Sequence, residues 1–441
     1  MESLPPPPVY RNCLLCTLAG FLGFLLLSYS LQKAFRPTTT VASFPNLDLD
    51  SSVGLPSTTL TNAQITGDLN SSQVIAQVTT KEAVIGTKEE KKCDIFDGRW
   101  IYDRKQYPLY QSRRCPFLSD QVSCRKNGRP DANYERWRWQ PNACDLPRLD
   151  GRDMLERWRG KRVVIIGDSL NRNMWESLAC ILYSAVGRKR AHVQVHSSEY
   201  KIFRALDYDC SVEFLWSPFL VQLKQREDGA KILQLDNLPG EAPRWLGADV
   251  MVFNTGHWWT HAGKTRAWDY FENKEQLFEN MDTHVAFDRA LRTWSRWVDR
   301  NVDQRKTIVF FRSISPEHKR ESLQWCYNQT RPFTDETYVQ RFPRSMVSLV
   351  EKTIKEMRSR VRYLNITALS EYRRDAHTAI YTSRQGKLLT SEQRMEPARY
   401  ADCSHWFLSR LCFTIFFTAL LHSLNCCLPA EPLESDKYCS V

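Results

Sequence analysis

Arg162-Val163-Val164-Ile165-Ile166-Gly167-Asp168-Ser169-Leu170-Asn171-Arg172-Asn173 is the stretch on which the fold turns. After Arg162 its first half is an unbroken apolar, β-branched run, the pattern of a strand buried on both faces. A glycine ends the run, and an Asp-Ser pair leads into a helix predicted over 171–186. Two runs of the same kind lie downstream, Asp249–Phe253 (DVMVF) and Thr307–Phe311 (TIVFF). Between them, residues 284–300 carry Val285, Phe287, Leu291, Trp294, Trp297 and Val298 at helical spacing with Arg and Asp interleaved, a core-facing stripe. A further helix over 343–360 leads to Val361–Leu364. Strand alternating with helix predicts an α/β fold: a three-layer sandwich whose mainly parallel sheet is covered on both faces.

The strand-to-helix junction also carries chemistry. The carboxyl end of a strand in an open α/β sheet faces the crevice where ligands bind. A serine there sits at a helix N-terminus, where free N–H groups and the helix dipole favour developing negative charge. Those are the requirements of a nucleophilic hydroxyl beside an oxyanion site. Asp-Ser before a helix is equally an ordinary capping pair. A nucleophilic Ser169 needs a base and a group to orient it. Asp402 and His405, three apart in Tyr400-Ala401-Asp402-Cys403-Ser404-His405-Trp406, could reach one site from a single turn. His257 and His261, just after the 249–253 strand, offer a different base.

Upstream of this core the chain changes character three times. Residues 1–12 form a short Pro-rich tail, read as cytoplasmic. Cys13–Leu31 is a run of 19 residues without charge. As a helix it rises roughly 28 Å, enough for a thin bilayer. No small-x-small cleavage site stands out behind it, which favours a retained signal anchor over a cleaved peptide. Arg11 precedes it while Lys33 and Arg36 follow, so local charge does not set the orientation. Residues 32–92, rich in Ser and Thr, read as a stem. Residues 93–150 bring four cysteines and dense aromatics with few aliphatic runs, the mark of a loop-rich, disulfide-stapled lobe. The main domain is placed at 151–406 and an atypical tail at 407–441.

Cys93, Cys115, Cys124, Cys144, Cys180, Cys210, Cys326 and Cys403 are dispersed without a CxxC pair, which argues against a metal site such as zinc. With glycosylation acceptors at Asn70, Asn328 and Asn365 they imply an oxidising, secretory compartment and a lumenal main domain. The formal net charge is +11, but the basic residues are not gathered in one arm and no nucleic-acid fold signature is present, so a nucleic-acid partner is not expected. A basic surface suits an acidic polysaccharide or an anionic donor. Fourteen tryptophans suit sugar stacking as well as core filling. No Gly-rich nucleotide loop is present.

Taken in order, these blocks resemble the plant trichome birefringence-like family, whose acyl-esterase domain is of the wider GDSL/SGNH hydrolase kind. The matching residues are Cys93-Asp94-Ile95-Phe96-Asp97-Gly98-Arg99-Trp100, Tyr107-Pro108-Leu109-Tyr110, Cys115-Pro116-Phe117 and Arg136-Trp137-Arg138-Trp139-Gln140-Pro141. Gly167-Asp168-Ser169, Asn254 to Trp259, Phe311-Arg312-Ser313 and Asp402 to Trp406 complete them. The resemblance covers roughly residues 92–406. It implies a Ser169–His405–Asp402 triad, with Asn254 and Arg172 as oxyanion or substrate contacts and Gly167 and Asp168 as structural supports. It further implies a single-pass type II Golgi membrane protein, its catalytic domain in the lumen, that moves acetyl groups onto hydroxyls of a cell-wall polysaccharide, xylan or pectin foremost. The acetyl donor, acetyl-CoA or an acetylated intermediate, would be a co-substrate, with no bound cofactor. The same triad would serve a polysaccharide acetylesterase, and a non-catalytic polysaccharide binder is the third reading.

One departure stands out. The family follows this tryptophan with Cys-Leu-Pro, whereas here Phe407-Leu408-Ser409-Arg410 and an apolar run, Leu411–Leu421, intervene before Cys427-Leu428-Pro429. The run's 11 residues are too few to span a bilayer, and its nearness to His405 raises the expectation that it could displace that imidazole.

Overall fold

The computed structural model describes residues 93–406 apart from 188, 321–324 and 335–343. The expected anchor, the stem and the tail after Trp406 lie outside the described residues, among which no helix is long and apolar enough to cross a membrane.

The chain opens with the hairpin β1 (Gly98–Tyr102) and β2 (Trp137–Pro141), then α1 (Gly151–Arg157) and β3 (Arg162–Gly167). Next come α2 (Ser169–Val186), β4 (Ala191–Val195), β5 (Tyr200–Ala205) and β6 (Cys210–Trp216). β7 (Gln222–Gln225) and β8 (Lys231–Gln234) precede β9 (Val250–Phe253), and β10 (Tyr270–Asn273) and β11 (Gln276–Phe278) follow it. α3 (Thr283–Asn301), β12 (Ile308–Arg312), α4 (Arg344–Glu356) and β13 (Val361–Leu364) complete the alternation. The last segment holds α5 (Thr367–Glu371), β14 (His377–Ala379), β15 (Ser383–Arg384), β16 (Lys387–Leu388), α6 (Ser391–Met395), α7 (Pro397–Tyr400) and β17 (Asp402–Trp406).

Seven strands make the central sheet in the order β13-β12-β9-β3-β6-β5-β4. The first five run parallel, and β5 and β4 extend that edge antiparallel. Period-2 alternation sorts the strand side chains between two cores. Val163 and Ile165 of β3 pack with Met174, Trp175 and Leu178 of α2 and with Met154 and Leu155 of α1. Val164 and Ile166 face the other way, toward Phe287, Leu291 and Trp294 of α3 and Val350 of α4. The α/β three-layer sandwich expected from the runs at 162–166, 249–253 and 307–311 is the one observed.

β6 carries no such run, because Glu213 interrupts it. That carboxylate is 3% exposed, yet Arg162 grips both its oxygens at 2.7 and 2.8 Å and the Tyr200 hydroxyl donates at 3.1 Å. A buried charge is tolerable when it is paired and hydrogen-bonded.

The stripe of residues 284–300 forms α3, whose start Asp282 caps by accepting from the N–H groups of His284 and Val285. Trp294, fully buried, meets Phe253 edge-on at 5.4 Å between ring centres and Phe311 at 5.0 Å. Trp294→Ala is expected to cost about 3–5 kcal/mol, as large core truncations do. Asp282→Ala, which removes only a cap, should cost about 1 kcal/mol. Denaturant midpoints of the two variants check that ranking.

Candidate active site

Three cysteine pairs hold the segments that build the site: Cys93–Cys144 closes the N-terminal lobe, Cys115–Cys180 fastens the lobe to α2, and Cys326–Cys403 secures β17. Cys124 and Cys210 are buried and free.

The turn between β3 and α2 is set by contacts too close for any larger residue. Gly167 has φ +150°, and a Cβ placed there would lie 2.0 Å from Asn254 Oδ1. The closeness brings the ends of β3 and β9 together. The Asp168 N–H donates to Asn254 Oδ1 at 3.2 Å, while Asn254 Nδ2 donates to Asp168 Oδ1 at 3.0 Å. The same Oδ1 accepts from the Leu170 N–H at 2.8 Å, so Asp168, not Ser169, caps α2. Asn171 adds a second tie, its Nδ2 donating to the carbonyls of Ile166 and Val252 at 2.7 and 3.2 Å. Ser169 is left as the first residue of α2, in the turn whose N–H groups have no helical acceptor.

From the other end of the chain β17 brings Asp402 and His405. His405 Nε2 lies 2.8 Å from Ser169 Oγ, across 236 residues of sequence. Its Nδ1 is 2.9 Å from Asp402 Oδ2. Asp402 Oδ1 accepts from the N–H groups of Ser404 (3.1 Å) and His405 (2.9 Å). Burial alone would raise the Asp402 carboxyl, but the His405 charge and these donors outweigh it and hold the group far below the usual carboxylate range. For His405 burial works downward, and the Asp402 charge and hydrogen bond reverse it to a net upward shift. The backbone of β17 is fixed as well: His377 Nδ1 is 3.0 Å from the His405 carbonyl oxygen, and Asn173 Nδ2 donates to that of Trp406. His405 therefore sits on Ser169; the apolar run expected to threaten it lies outside the described residues.

The second histidine pair stands elsewhere on the same cleft. His257 Nε2 is 3.1 Å from Glu317 Oε1, and Glu317 also accepts from Ser404 Oγ at 2.7 Å and pairs with Lys319. Burial lowers the His257 pKa, and at Glu317 the His257 charge, Lys319 and Ser404 overcome the opposing effect of burial to lower the carboxyl. Of the three histidines left open as bases by the sequence, His405 is the one in contact with the Ser169 hydroxyl. Asn254, 1% exposed, spends one amide hydrogen on Asp168 and has one more to give. Arg172 extends from the first turn of α2, where an Nη donates to Gln121 Oε1 at 2.6 Å and Glu176 lies 3.8 Å away.

The cleft measures about 970 Å³ and is lined by Ser169, His405, Arg172, Trp216, Trp258 and Tyr400 among others. Glu317 and Gln121 escaped sequence reasoning: a single carboxylate after a strand and a single amide in a loop show no periodicity or spacing that marks them. Among the described residues no group of three or more His, Cys, Asp or Glu is arranged to hold a metal.

A parallel α/β sandwich with a serine at the first helix N-terminus and an Asp-x-x-His segment returning to it defines an acyl-esterase of the GDSL/SGNH kind. Residues 146–411 match the GDSL/SGNH-like acyl-esterase family found in Pmr5 and Cas1p, and residues 91–145 match the PMR5 N-terminal domain. The chain belongs to the trichome birefringence-like family. It is 39% identical to protein trichome birefringence-like 3 of Arabidopsis thaliana over 337 residues, 73% of this chain and 77% of that protein. With protein trichome birefringence-like 36 of the same plant the identity is 40%, covering 73% of this chain and 83% of the relative. With xylan O-acetyltransferase 6 of Oryza sativa subsp. japonica it is 41%, over 72% of this chain and 60% of the rice protein.

Gly167→Ala tests the turn. The added methyl would have to push Asn254 away, so a lowered melting temperature and loss of ordered contact between the strand ends are expected. Gly160→Ala, where a Cβ would meet nothing within 4 Å although φ is also positive, serves as the control. Calorimetry of the pair should show the larger drop at Gly167.

Proposed function

We propose that the protein is a polysaccharide O-acetyltransferase working through an acetyl-Ser169 intermediate. His405 accepts the Ser169 proton at Nε2 as Oγ attacks the carbonyl carbon of an acetyl donor. The C–Oγ bond forms, the donor's leaving group departs with the proton from His405, and acetyl remains on Ser169. A glycan hydroxyl then enters the cleft, gives its proton to His405 and takes the acetyl group, and the proton returns to Ser169 Oγ. Asp402 holds the imidazole in the tautomer that presents a lone pair to Ser169 and balances the imidazolium formed in each half. The Ser169 N–H, the free hydrogen of Asn254 and the Arg172 guanidinium are the donors for the oxyanion. One observation carries the reading: the 2.8 Å contact between His405 Nε2 and Ser169 Oγ.

Polysaccharide as the acceptor is supported by the aromatic walls Trp216, Trp258 and Tyr400, whose faces suit sugar rings, and by the rice relative named for xylan O-acetylation. The donor, acetyl-CoA or an acetylated intermediate, is a co-substrate in this reading. The three disulfides support a Golgi lumenal domain, with residues 13–31 as the type II anchor. Protein supplied with labelled acetyl donor and deacetylated xylan or pectin oligosaccharides should place label on the glycan. Label only in free acetate would make it an esterase, and glycan binding with neither product would make it a binder.

Ser169→Ala should abolish transfer while changing stability by less than about 1 kcal/mol, since Asp168 keeps the cap and alanine favours the helix. Asp402→Asn should lower turnover on the order of 10⁴-fold through the wrong imidazole tautomer. Retained turnover in Ser169→Ala would refute the mechanism.

The pH profile follows from the shift at His405. The base acts only when neutral, and its pKa is raised above the ordinary 6.5. Activity should therefore fall as pH drops through a value above 6.5. An acid limb in kcat/KM centred below that value would contradict the assignment.

A further inference from the structure

Gln121 lies in the N-terminal lobe, far in sequence from either half of the site, yet it lines the catalytic cleft. Its side chain spans the two elements that must meet. Oε1 accepts from Arg172 at 2.6 Å, and Nε2 is 3.5 Å from Asp402 Oδ2 and 3.2 Å from His405 Nδ1. A guanidinium can only donate, so Arg172 fixes which end of the amide is the oxygen. The amide nitrogen must then face the Asp402–His405 pair. His405 Nδ1 gives its hydrogen to Asp402, which leaves the carboxylate as the acceptor for Gln121.

The backbone around Gln121 is anchored for that task. Its carbonyl accepts from Thr382 Oγ1 at 2.9 Å. Two residues earlier, the N–H and Oγ of Ser119 both donate to Glu176 Oε2 at 3.1 Å, on the helix that begins with Ser169. Glu176 is fully buried and has Lys201 at 3.7 Å and Arg172 at 3.8 Å as counter-charges. Cys115–Cys180 closes the same lobe segment onto the same helix.

We infer that Gln121 is a positioning residue of the active site, and that the N-terminal lobe supplies the brace holding the Asp402–His405 pair against Ser169. The inference rests on the proposed triad. By bridging the Arg172 cation to the Asp402 anion through one neutral amide, Gln121 fixes their separation and keeps Arg172 from drawing Asp402 away from His405. The lobe thereby belongs to the catalytic centre.

The test uses the full chain and a fluorophosphonate, which reports the nucleophilicity of an activated serine without an acetyl acceptor. Labelling rate is read by intact mass across pH, alongside kcat and KM for 4-nitrophenyl acetate. Wild type should label and Ser169→Ala should not; labelling that survives in Ser169→Ala, or is missing from wild type, refutes the triad itself. With the triad standing, Gln121→Met, of similar length but without an amide, should slow labelling and kcat roughly tenfold, the worth of one hydrogen bond to a charged group, at nearly constant KM. Gln121→Glu places a second carboxylate beside His405, favours the imidazolium and should move the acid limb to higher pH. Gln121→Asn, which keeps the amide on a shorter arm, should recover part of the rate lost in Gln121→Met. Wild-type labelling rate and pH profile in both Gln121→Met and Gln121→Glu would overturn the inference, and so would a KM-only effect.

Discussion

The pair of hydrogen bonds between Asp168 and Asn254 is the constraint on which the active-site end of the molecule depends. β3 and β9 are neighbours in the sheet, and beyond their last ladder bonds each would splay toward its own connection. The Asp168–Asn254 clasp joins them for one more residue, with Gly167 permitting the approach. Three results follow from it. α2 starts immediately, because the clasped Asp168 is also its cap; Ser169 is presented at the crevice; and the β9 connection turns outward with His257 and Trp258 on the cleft wall. This is also the switch point of the sheet, since the chain leaves β3 to build the β6 side and returns to β9 on the other, which is where open α/β sheets hold their ligands.

The second half of the site is not part of the sheet, and its precision has a different origin. Among the described residues β17 pairs only with the three-residue β14 and shows an irregular register there. A two-stranded ribbon is marginal by itself. What fixes it is a set of polar and covalent ties to three other regions: the Cys326–Cys403 bridge, Asn173 of α2 on the Trp406 carbonyl, and His318, whose backbone N–H donates to the Cys403 carbonyl. The two hydrogen bonds are each worth little beside a core residue, whereas the disulfide is of comparable worth, and together they restrain the Asp402–His405 segment. Trp406 finishes the strand as a buried plug, packed against the ring of His377 at 4.1 Å between centres.

The sheet core was legible in the sequence because its strands are buried on both faces and so read as continuous apolar runs. Val163–Ile166, Val250–Phe253 and Ile308–Phe311 need no context to be recognised. Their helices were legible for the complementary reason, that a one-sided burial imposes the 3.6-residue stripe seen at Phe287, Leu291, Trp294 and Val298. β6 was not, since Glu213 in its centre is neutralised by Arg162 across the neighbouring strand, a partnership that exists only after folding. The antiparallel edge β4–β5 and the four-stranded sheet β11-β10-β8-β7 went unread as well, being short and half-exposed. At the candidate site, motifs singled out Ser169, Asp402 and His405, which the fold brings into contact. Gln121 and Glu317 carry no pattern; only the tertiary structure brings them to the cleft.

Why a lobe lacking the sheet's architecture should accompany this core follows from charge. The cleft side of α2 holds Glu176, Arg172 and, from β5, Lys201, all largely or wholly buried. Burial raises the Glu176 pKa even against both cations and the Ser119 donors, so without the lobe the sheet domain would carry a still less solvated carboxylate on the helix that begins with Ser169. Ser119 supplies two donors to it and Gln121 an acceptor to Arg172, which is the polar solvation that water would otherwise have to provide. Water there would also compete for the imidazole and the serine hydroxyl. The lobe brings those donors and that acceptor to the helix, and it is held there both by the Cys115–Cys180 staple and by burial, since Ile95, Tyr110, Trp139 and Leu149 pack into the same core as Met174, Trp175 and Leu178 of α2.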